Sequence, residues 1–370
     1  MLKAKITNFS HQKCWRESLP SVDLPNSNLS DFSTIFHATP SKFLANFGDK
    51  TLAISKWVSP KRTRSYPYAR VYDTFDAPAS KVATIIPLIK DEGAAGDMDY
   101  LQWDTLSLMS LLNVYVIVAF YDKAELNPTR KGKITNQKFN AEHILQQLNL
   151  LKNYHQSALH WNLNQLSEQN LAALVSAAKN AYASISRDLA VPLHPAQNID
   201  KFAAKITQNK NEFMAFSRAK AQRAQNAEAN TTQPKEQIGI GAKSKIVIEN
   251  YLGGQYFFAI DDVLQRGGVL HLCESKHSKN ALLPSVDDIK DGLLKLMLYN
   301  NLAEIQGVER FKVVLRLTSS LLRGTFTLPS VNLSAFLASA PFSKAQISTL
   351  NALNDEAAKN KFEIWINNEC

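Results

Sequence analysis

Residues 260–279 read IDDVLQRGGVLHLCESKHSK, and they hold the side chains best suited to chemistry. An apolar strand, VLHLC, ends in Glu274-Ser275-Lys276. Residues two apart on a strand share a face, so the Glu274 carboxylate and the Lys276 ammonium are expected side by side. That pair suits hydrolysis of a phosphodiester. The carboxylate holds a hard divalent cation, which stabilises charge on the phosphate and lowers the pKa of its water. The lysine orients that water or stabilises the transition state. A second carboxylate is needed, and Asp261 and Asp262 are the local candidates. Hairpin register decides between them. A turn centred on Gly267 pairs residue 262 with 272, and Asp262 then shares the face of Glu274 and Lys276. A turn centred between Gly267 and Gly268 pairs Asp261 with Glu274 instead. The sequence reading favours Asp262. The competing reading of AIDDVLQRGG is a single helical turn capped by an aspartate, which would send the second carboxylate elsewhere.

The elements around this line alternate. Lys243 to Leu252 is expected as a helix, followed by short strands at Tyr256–Ile260 and Val269–Glu274. PSVDDIKDGLLKLMLYNN, residues 284–301, predicts an amphipathic helix with Ser285 as N-cap and acidic residues in its first turn. FKVVLRL, residues 311–317, predicts a further strand. Earlier, Phe43–Phe47 suggests a small helix, KVATIIPLIK and VYVIVAFY read as strands, and YLQWDTLSLMSLLN has helical spacing. Residues 141–192 read as helical, and a basic, alanine-rich helix is expected over 200–230. ANTTQP, residues 229–234, is the linker candidate. The fold class is therefore α/β (α+β): a mixed sheet flanked by helices, with a helix-rich N-terminal region. The division is 1–230 for an N-terminal α/β and helical region and 240–370 for the block that carries the candidate site.

With these pieces in order, residues 245–318 resemble the core of the PD-(D/E)XK nucleases. The matching stretches are KIVIENYL, IDD, ESK, PSVDDIKDGLLKL and FKVVLRL. The resemblance implies Asp262 and Glu274 as ligands of Mg2+, Lys276 as the catalytic lysine, and Glu249 as an accessory glutamate on the preceding helix. Ile260 or Asp261 stands where the family often has proline. ESKHSK with LPSVDDIKDGLLKLMLYNNL, and IIPLIKDEGAAGDMDYLQWDT with VYVIVAFYDKAELNP, are similar in wording to type II restriction endonucleases. That subclass implies double-stranded DNA as substrate, a homodimer that cuts a two-fold site, and a cognate DNA methyltransferase as genetic partner.

Other motifs admit both a functional and a plainer reading. Asp91, Glu92, Asp97 and Asp99 form an acidic turn after a strand, a rival metal site or a solvated turn. Lys56, Lys61, Arg62, Arg64 and Arg70 interleave with Trp57, Tyr66, Tyr68 and Tyr72, which suits phosphate and base contacts or a basic loop with its aromatics in the core. The basic run that includes Arg218 suits a DNA cleft or a solvated helix face. His271, Cys273 and His277 have poor spacing for zinc. Neither GxxxxGK[ST] nor GxGxxG occurs.

Composition sets the outer bounds. The chain has 370 residues, 42 Lys+Arg against 33 Asp+Glu, and a net charge of +9, which suits a polyanionic partner. Three scattered cysteines make no disulfide framework and favour a reducing compartment. No membrane-spanning apolar run and no apolar signal core are present, so the expected address is the cytoplasm.

Overall fold

The computed structural model of the chain describes residues 1–61, 65–165, 167–208 and 242–367. It divides into two units, Leu19–Ala221 and a second unit made of Met1–Ser18 with Gln222–Cys370. The chain opens in the second unit with β1 (Leu2–Ile6) and then builds the first.

In the first unit the elements are β2 (Ser21–Asp23), α1 (Leu29–Ala38), β3 (Lys42–Phe47), β4 (Lys50–Lys56), α2 (Ser65–Thr74) and β5 (Lys81–Pro87). A small hairpin, β6 (Ile89–Asp91) with β7 (Met98–Tyr100), leads to α3 (Trp103–Leu111), β8 (Tyr115–Ala119), β9 (Tyr121–Leu126) and β10 (Ile134–Phe139). Four helices follow, α4 (Ala141–Lys152), α5 (Ala158–Gln165), α6 (Glu168–Leu189) and α7 (Ala196–Gln208). The main sheet has the order β2-β3-β4-β5-β8, in which β4, β5 and β8 are parallel. Phe43–Phe47 is strand β3 and not a helix. Phe43, Ala45 and Phe47 are fully buried, which is the period-two pattern of a half-buried strand. The expected strands at 81 and 114, the helix at 103 and the helices after 141 are all present.

In the second unit the elements resume with β11 (Ala242–Asn250), β12 (Gln255–Arg266), β13 (Val269–Ser278), α8 (Val286–Tyr299), β14 (Glu304–Ile305) and β15 (Phe311–Ser319). They end with β16 (Phe326–Leu328), α9 (Leu333–Ala338), α10 (Lys344–Asn360) and β17 (Glu363–Ile366). One eight-stranded mixed sheet has the order β14-β1-β11-β12-β13-β15-β17-β16. β11, β12 and β13 form an antiparallel meander, and α8 crosses over to β15, which runs parallel to β13. Ser285 caps α8 as expected, accepting from the Asp288 N–H.

Two expectations are corrected here. Lys243–Leu252 is a strand: Ile246 and Ile248 are buried while Val247 is half-buried and Glu249 exposed, an alternation no helix produces. The linear division at 230–240 also left the chain start in the wrong unit. β1 pairs in parallel with β11, from Leu2↔Ile246 to Ile6↔Asn250. The segment after β1 is held by Glu356 of α10, which is fully buried. Its Oε2 accepts the N–H groups of Cys14 and Trp15 at 2.9 Å each, and its Oε1 lies 3.0 Å from His11 Nε2. Lys290 of α8, also fully buried, pairs with Glu17 at 2.7 Å and lies over the Trp15 ring. The 230–240 boundary itself falls outside the described residues.

Candidate functional site

The β12–β13 hairpin turns on Gly267 and Gly268, both at positive φ (55° and 74°). Two residues with φ > 0 make the tight turn whose twist matches paired strands, and glycine adopts it without a Cβ penalty. The flanking pair is Arg266↔Val269, and the ladder runs back to Val263↔Leu272 and Asp262↔Cys273. The turn is thus centred between the glycines, and the favoured register, 262 with 272, is not formed.

The consequence falls on the aspartates. Glu274 and Lys276 point to the face covered by α8. Ser275 points to the other, and Asp262 goes with it. Its Oδ2 accepts from Ser275 Oγ at 3.2 Å and lies 3.2 Å from Arg316 Nη2. Arg316 and Asp262 are both buried. Asp262 is therefore across the sheet from the Glu-x-Lys pair. Asp261 lies at a β-bulge, where the β11–β12 pairing passes from Ser244↔Ile260 to Ala242↔Val263 and two residues of β12 oppose one of β11. A bulge re-aims a side chain. Asp261 Oδ2 accepts the Ser275 backbone N–H at 2.9 Å, bridging the two strands beside the Glu-x-Lys pair.

On the α8 face, charges are packed densely. Lys276 Nζ donates to Asp291 Oδ2 at 2.5 Å and lies 3.0 Å from Glu274 Oε1. Lys295 Nζ donates to the same Glu274 oxygen at 2.9 Å. Glu274 is fully buried, and Lys276 is 7% and Asp291 4% exposed. Burial works against the Lys276 ammonium, but the carboxylates of Asp291 and Glu274 outweigh it and raise its pKa. Burial pushes the Asp291 carboxyl above its ordinary value, although Lys276 and Lys295 hold it back. Asp291 and Lys295 were missed in the sequence. Their signal is an Asp and a Lys four apart on a helix that is otherwise buried almost all round. Gly292 sits between them, and a Cβ there would come 2.7 Å from Leu315 Cδ1, 3.3 Å from Lys276 Cε and 3.6 Å from Glu274 Cγ. This glycine lets α8 lie directly on the cluster.

The arrangement can hold charge of either sign. Glu274, Asp291 and Asp261 act on Lys276 alongside Lys295, three carboxylates with two ammonium groups. Among the described residues no group of three or more His, Cys, Asp or Glu is placed to hold a metal ion. The donor set still suits Mg2+. Glu274 and Asp261 offer only oxygen, and Mg2+ takes one or two carboxylates and fills its shell with water and substrate phosphate. Glu249, proposed as an accessory glutamate, is exposed on β11 and accepts from Gln255 Nε2 at 2.5 Å.

The other candidates are dispersed. Asp91 is buried and accepts from Gly93 N–H at 2.8 Å and His194 N–H at 3.0 Å. Glu92 binds Lys90, and Asp97 and Asp99 lie 3.7 and 3.8 Å from Lys61. The acidic turn is thus a set of local pairs. Arg70 donates to the Lys56 carbonyl at 2.5 Å and lies over the Tyr66 ring. Trp57, Tyr68 and Tyr72 are core residues. Arg62, Arg64 and Arg218 lie outside the described residues. Cys273 is buried with Leu264, Val314 and Trp365, and His277 Nδ1 lies 2.9 Å from Thr318 Oγ1. No helix among the described residues is long and apolar enough to cross a membrane. No protein-family model, no curated protein and no solved structure matches the chain.

Proposed function

We propose that the protein is a Mg2+-dependent type II restriction endonuclease of the PD-(D/E)XK kind, hydrolysing phosphodiester bonds in a specific double-stranded DNA sequence. One observation carries the reading. Glu274 and Lys276 share a face of the central strand of a β-β-β-α-β unit, with Asp261 at a bulge on the adjacent strand. Asp261 here takes the part the sequence reading gave to Asp262. Glu274 and Asp261 would hold the ion, which supplies Lewis acidity at the phosphate and an acidified water. Lys276, kept as an ammonium between carboxylates, donates a hydrogen bond to the attacking water or to a phosphate oxygen as charge develops. Asp291 fixes the lysine, and Lys295 limits repulsion between Glu274 and the phosphate. The positive net charge favours encounter with DNA. The reading carries with it a homodimer, a cytoplasmic address and a cognate DNA methyltransferase as genetic partner.

A second reading has its own support. Glu274 Oε1 is shared by two lysines and Asp291 by one, which is also what a purely structural ion cluster in a DNA-binding module needs. A DNA repair or recombination nuclease is the nearer alternative. Incubation of plasmid DNA with the protein, with and without Mg2+, separates them. Discrete fragments whose sequenced ends share one motif support restriction. Cleavage without a common motif, or selective for branched DNA, supports repair. Uncut DNA that is nevertheless bound supports the module.

A further inference from the structure

Five charged side chains meet under α8: Asp261, Glu274, Lys276, Asp291 and Lys295. Asp261, Glu274, Lys276 and Asp291 are buried, and Lys295 is the partly exposed one. Lys295 therefore stands on the solvent side of the cluster. Its Nζ donates to Glu274 Oε1 at 2.9 Å, and Lys276 Nζ lies 3.0 Å from the same oxygen. The oxygen that a metal ion would need is thus shared by two ammonium groups.

The two lysines are held differently. Lys276 also donates to Asp291 Oδ2, and its Cε would lie 3.3 Å from a Cβ on Gly292 of α8. It is boxed between strand and helix, and it keeps Asp291 when another ligand takes Glu274. Lys295 reaches Glu274 from α8 on a flexible four-carbon stem, and its partial exposure gives the ammonium a way to water. A hard dication seats directly on carboxylate oxygen. An ammonium on the same oxygen repels it at close range, with little solvent between them to screen the charges. The charge balance points the same way. Three carboxylates, Lys276 and one dication come to neutrality. With Lys295 still in place, the buried cluster would carry an excess positive charge, which is costly away from water. Without the dication, Lys295 is the charge that limits the excess of carboxylates.

We propose that Lys295 is a latch on the metal site: its ammonium holds the place of the divalent cation on Glu274 and swings out to solvent when the cation binds. Once outside, it remains a positive charge beside the incoming phosphate. The inference rests on the nuclease reading, in which Glu274 is a metal ligand. It adds a competitor built into the site, so the free protein binds divalent metal more weakly than its carboxylates alone would.

The test uses the full chain without DNA. Binding of Mn2+, which accepts the same oxygen ligands as Mg2+, is followed by loss of the free-ion EPR signal. The rise in unfolding temperature on adding Mg2+ is a second readout, because a ligand of the folded state stabilises it. Lys295→Met keeps the stem and removes the charge. Lys295→Gln keeps a donor for the Glu274 oxygen without the charge, and serves if the first variant does not fold. Each is expected to bind Mn2+ tenfold or more tightly than the parent and to gain more in unfolding temperature from Mg2+. A lysine with only a structural part would leave metal affinity unchanged or lower it when replaced. Glu274→Gln added to Lys295→Gln should abolish the gain, and a gain that survives it overturns the latch. The latch is also overturned, with the metal site kept, if both Lys295 variants bind Mn2+ like the parent while Glu274→Gln alone loses that binding. If binding is the same in the parent, the Lys295 variants and Glu274→Gln, or absent from all, Glu274 holds no metal and the nuclease reading falls together with the latch.

Discussion

Lys276 Nζ donates to Asp291 Oδ2 at 2.5 Å, a bond from the central hairpin to the helix that covers it. Glu274 and Asp291 thus hold one ammonium between them, and the proposed function gives the two carboxylates different roles. In the nuclease reading Glu274→Ala removes a metal ligand. It should abolish Mg2+-dependent cleavage while leaving DNA binding intact in a gel-shift titration. Lys276→Ala removes a donor to developing charge and should lower kcat by about 10²–10³-fold. Asp291→Asn only loosens the lysine and should cost about 10–100-fold, the usual scale for a residue that orients a ligand or donor. Cleavage by Glu274→Ala at the parental rate would remove the site from this face.

The two adjacent aspartates should separate in two different assays. Asp261→Asn should be inactive with a near-normal unfolding transition. Asp262→Ala leaves Arg316 buried without its carboxylate, and breaking a buried pair costs about 3–5 kcal/mol. It should therefore appear first as lost stability in thermal or urea unfolding. If Asp262→Asn proves dead and fully stable while Asp261→Asn cleaves normally, the assignment of the bulge residue is reversed.

Gly292 offers a test of how closely α8 must approach. Alanine in place of a mid-helix glycine gains about 1 kcal/mol in helix propensity, but the added methyl meets Leu315 Cδ1 at 2.7 Å. Overpacking costs about 1–3 kcal/mol, so net stability should fall only slightly. Cleavage should fall more, because the helix carries Asp291 and Lys295 onto Glu274 and Lys276. Gly292→Val should lose both. An active, stable Gly292→Val would show that α8 can lift from the cluster without consequence.

Much of this unit was legible from residue order. The strand that carries Glu-x-Lys, the Ser285 cap and the strand after α8 follow from alternation, β propensity and capping chemistry, although β13 runs on to Ser278 and holds Glu274 and Lys276 in its interior rather than at its end. The register was harder, because two glycines permit two turns and the choice is made by twist, which the sequence carries only weakly. β11 was misread because KIVIEN offers apolar residues at both helical and strand spacings, and pairing with β1, some 240 positions away, decides between them. Asp291 and Arg316 were missed because their partners lie on other elements. A lone charge in an apolar run becomes informative only when its countercharge is found.

Acid should weaken the first unit. Burial holds His143 of α4 below its ordinary value, outweighing the hydrogen bond at 2.9 Å to the Val118 carbonyl. The folded protein then resists protonation that the unfolded chain accepts near pH 6.5. Stability is fully present above that pH and falls as pH drops toward the lower folded value, by at most about 1.4 kcal/mol per pH unit for one group. His37 of the same unit is lowered in the same direction, also by burial first, as are His271 and His277 of the second unit. Unfolding temperatures measured from pH 8 to 5 should fall below about 6.5. His143→Gln should flatten that fall, and an unchanged slope would leave this histidine without a part in it.

The basic stretch from Lys61 to Arg70 gives the last prediction. Arg70 is tied to the Lys56 carbonyl and the Tyr66 ring, so its replacement mixes lost structure with lost charge. Lys61 is already near Asp97 and Asp99. Arg62 and Arg64 are the cleaner probes of DNA contact. If each neutralises a phosphate, the double variant Arg62→Ala with Arg64→Ala should lower the log–log salt slope of binding by about two, because each contact contributes roughly one. The loss should be the same on cognate and random duplexes. If one of them reads a base, its single replacement should cost about 1–3 kcal/mol on the cognate duplex alone and relax specificity at one position. Titrations at several salt concentrations on both duplexes distinguish the cases. Equal affinity and slope for parent and double variant on both would make the segment a bystander, and DNA would have to be held by other basic residues.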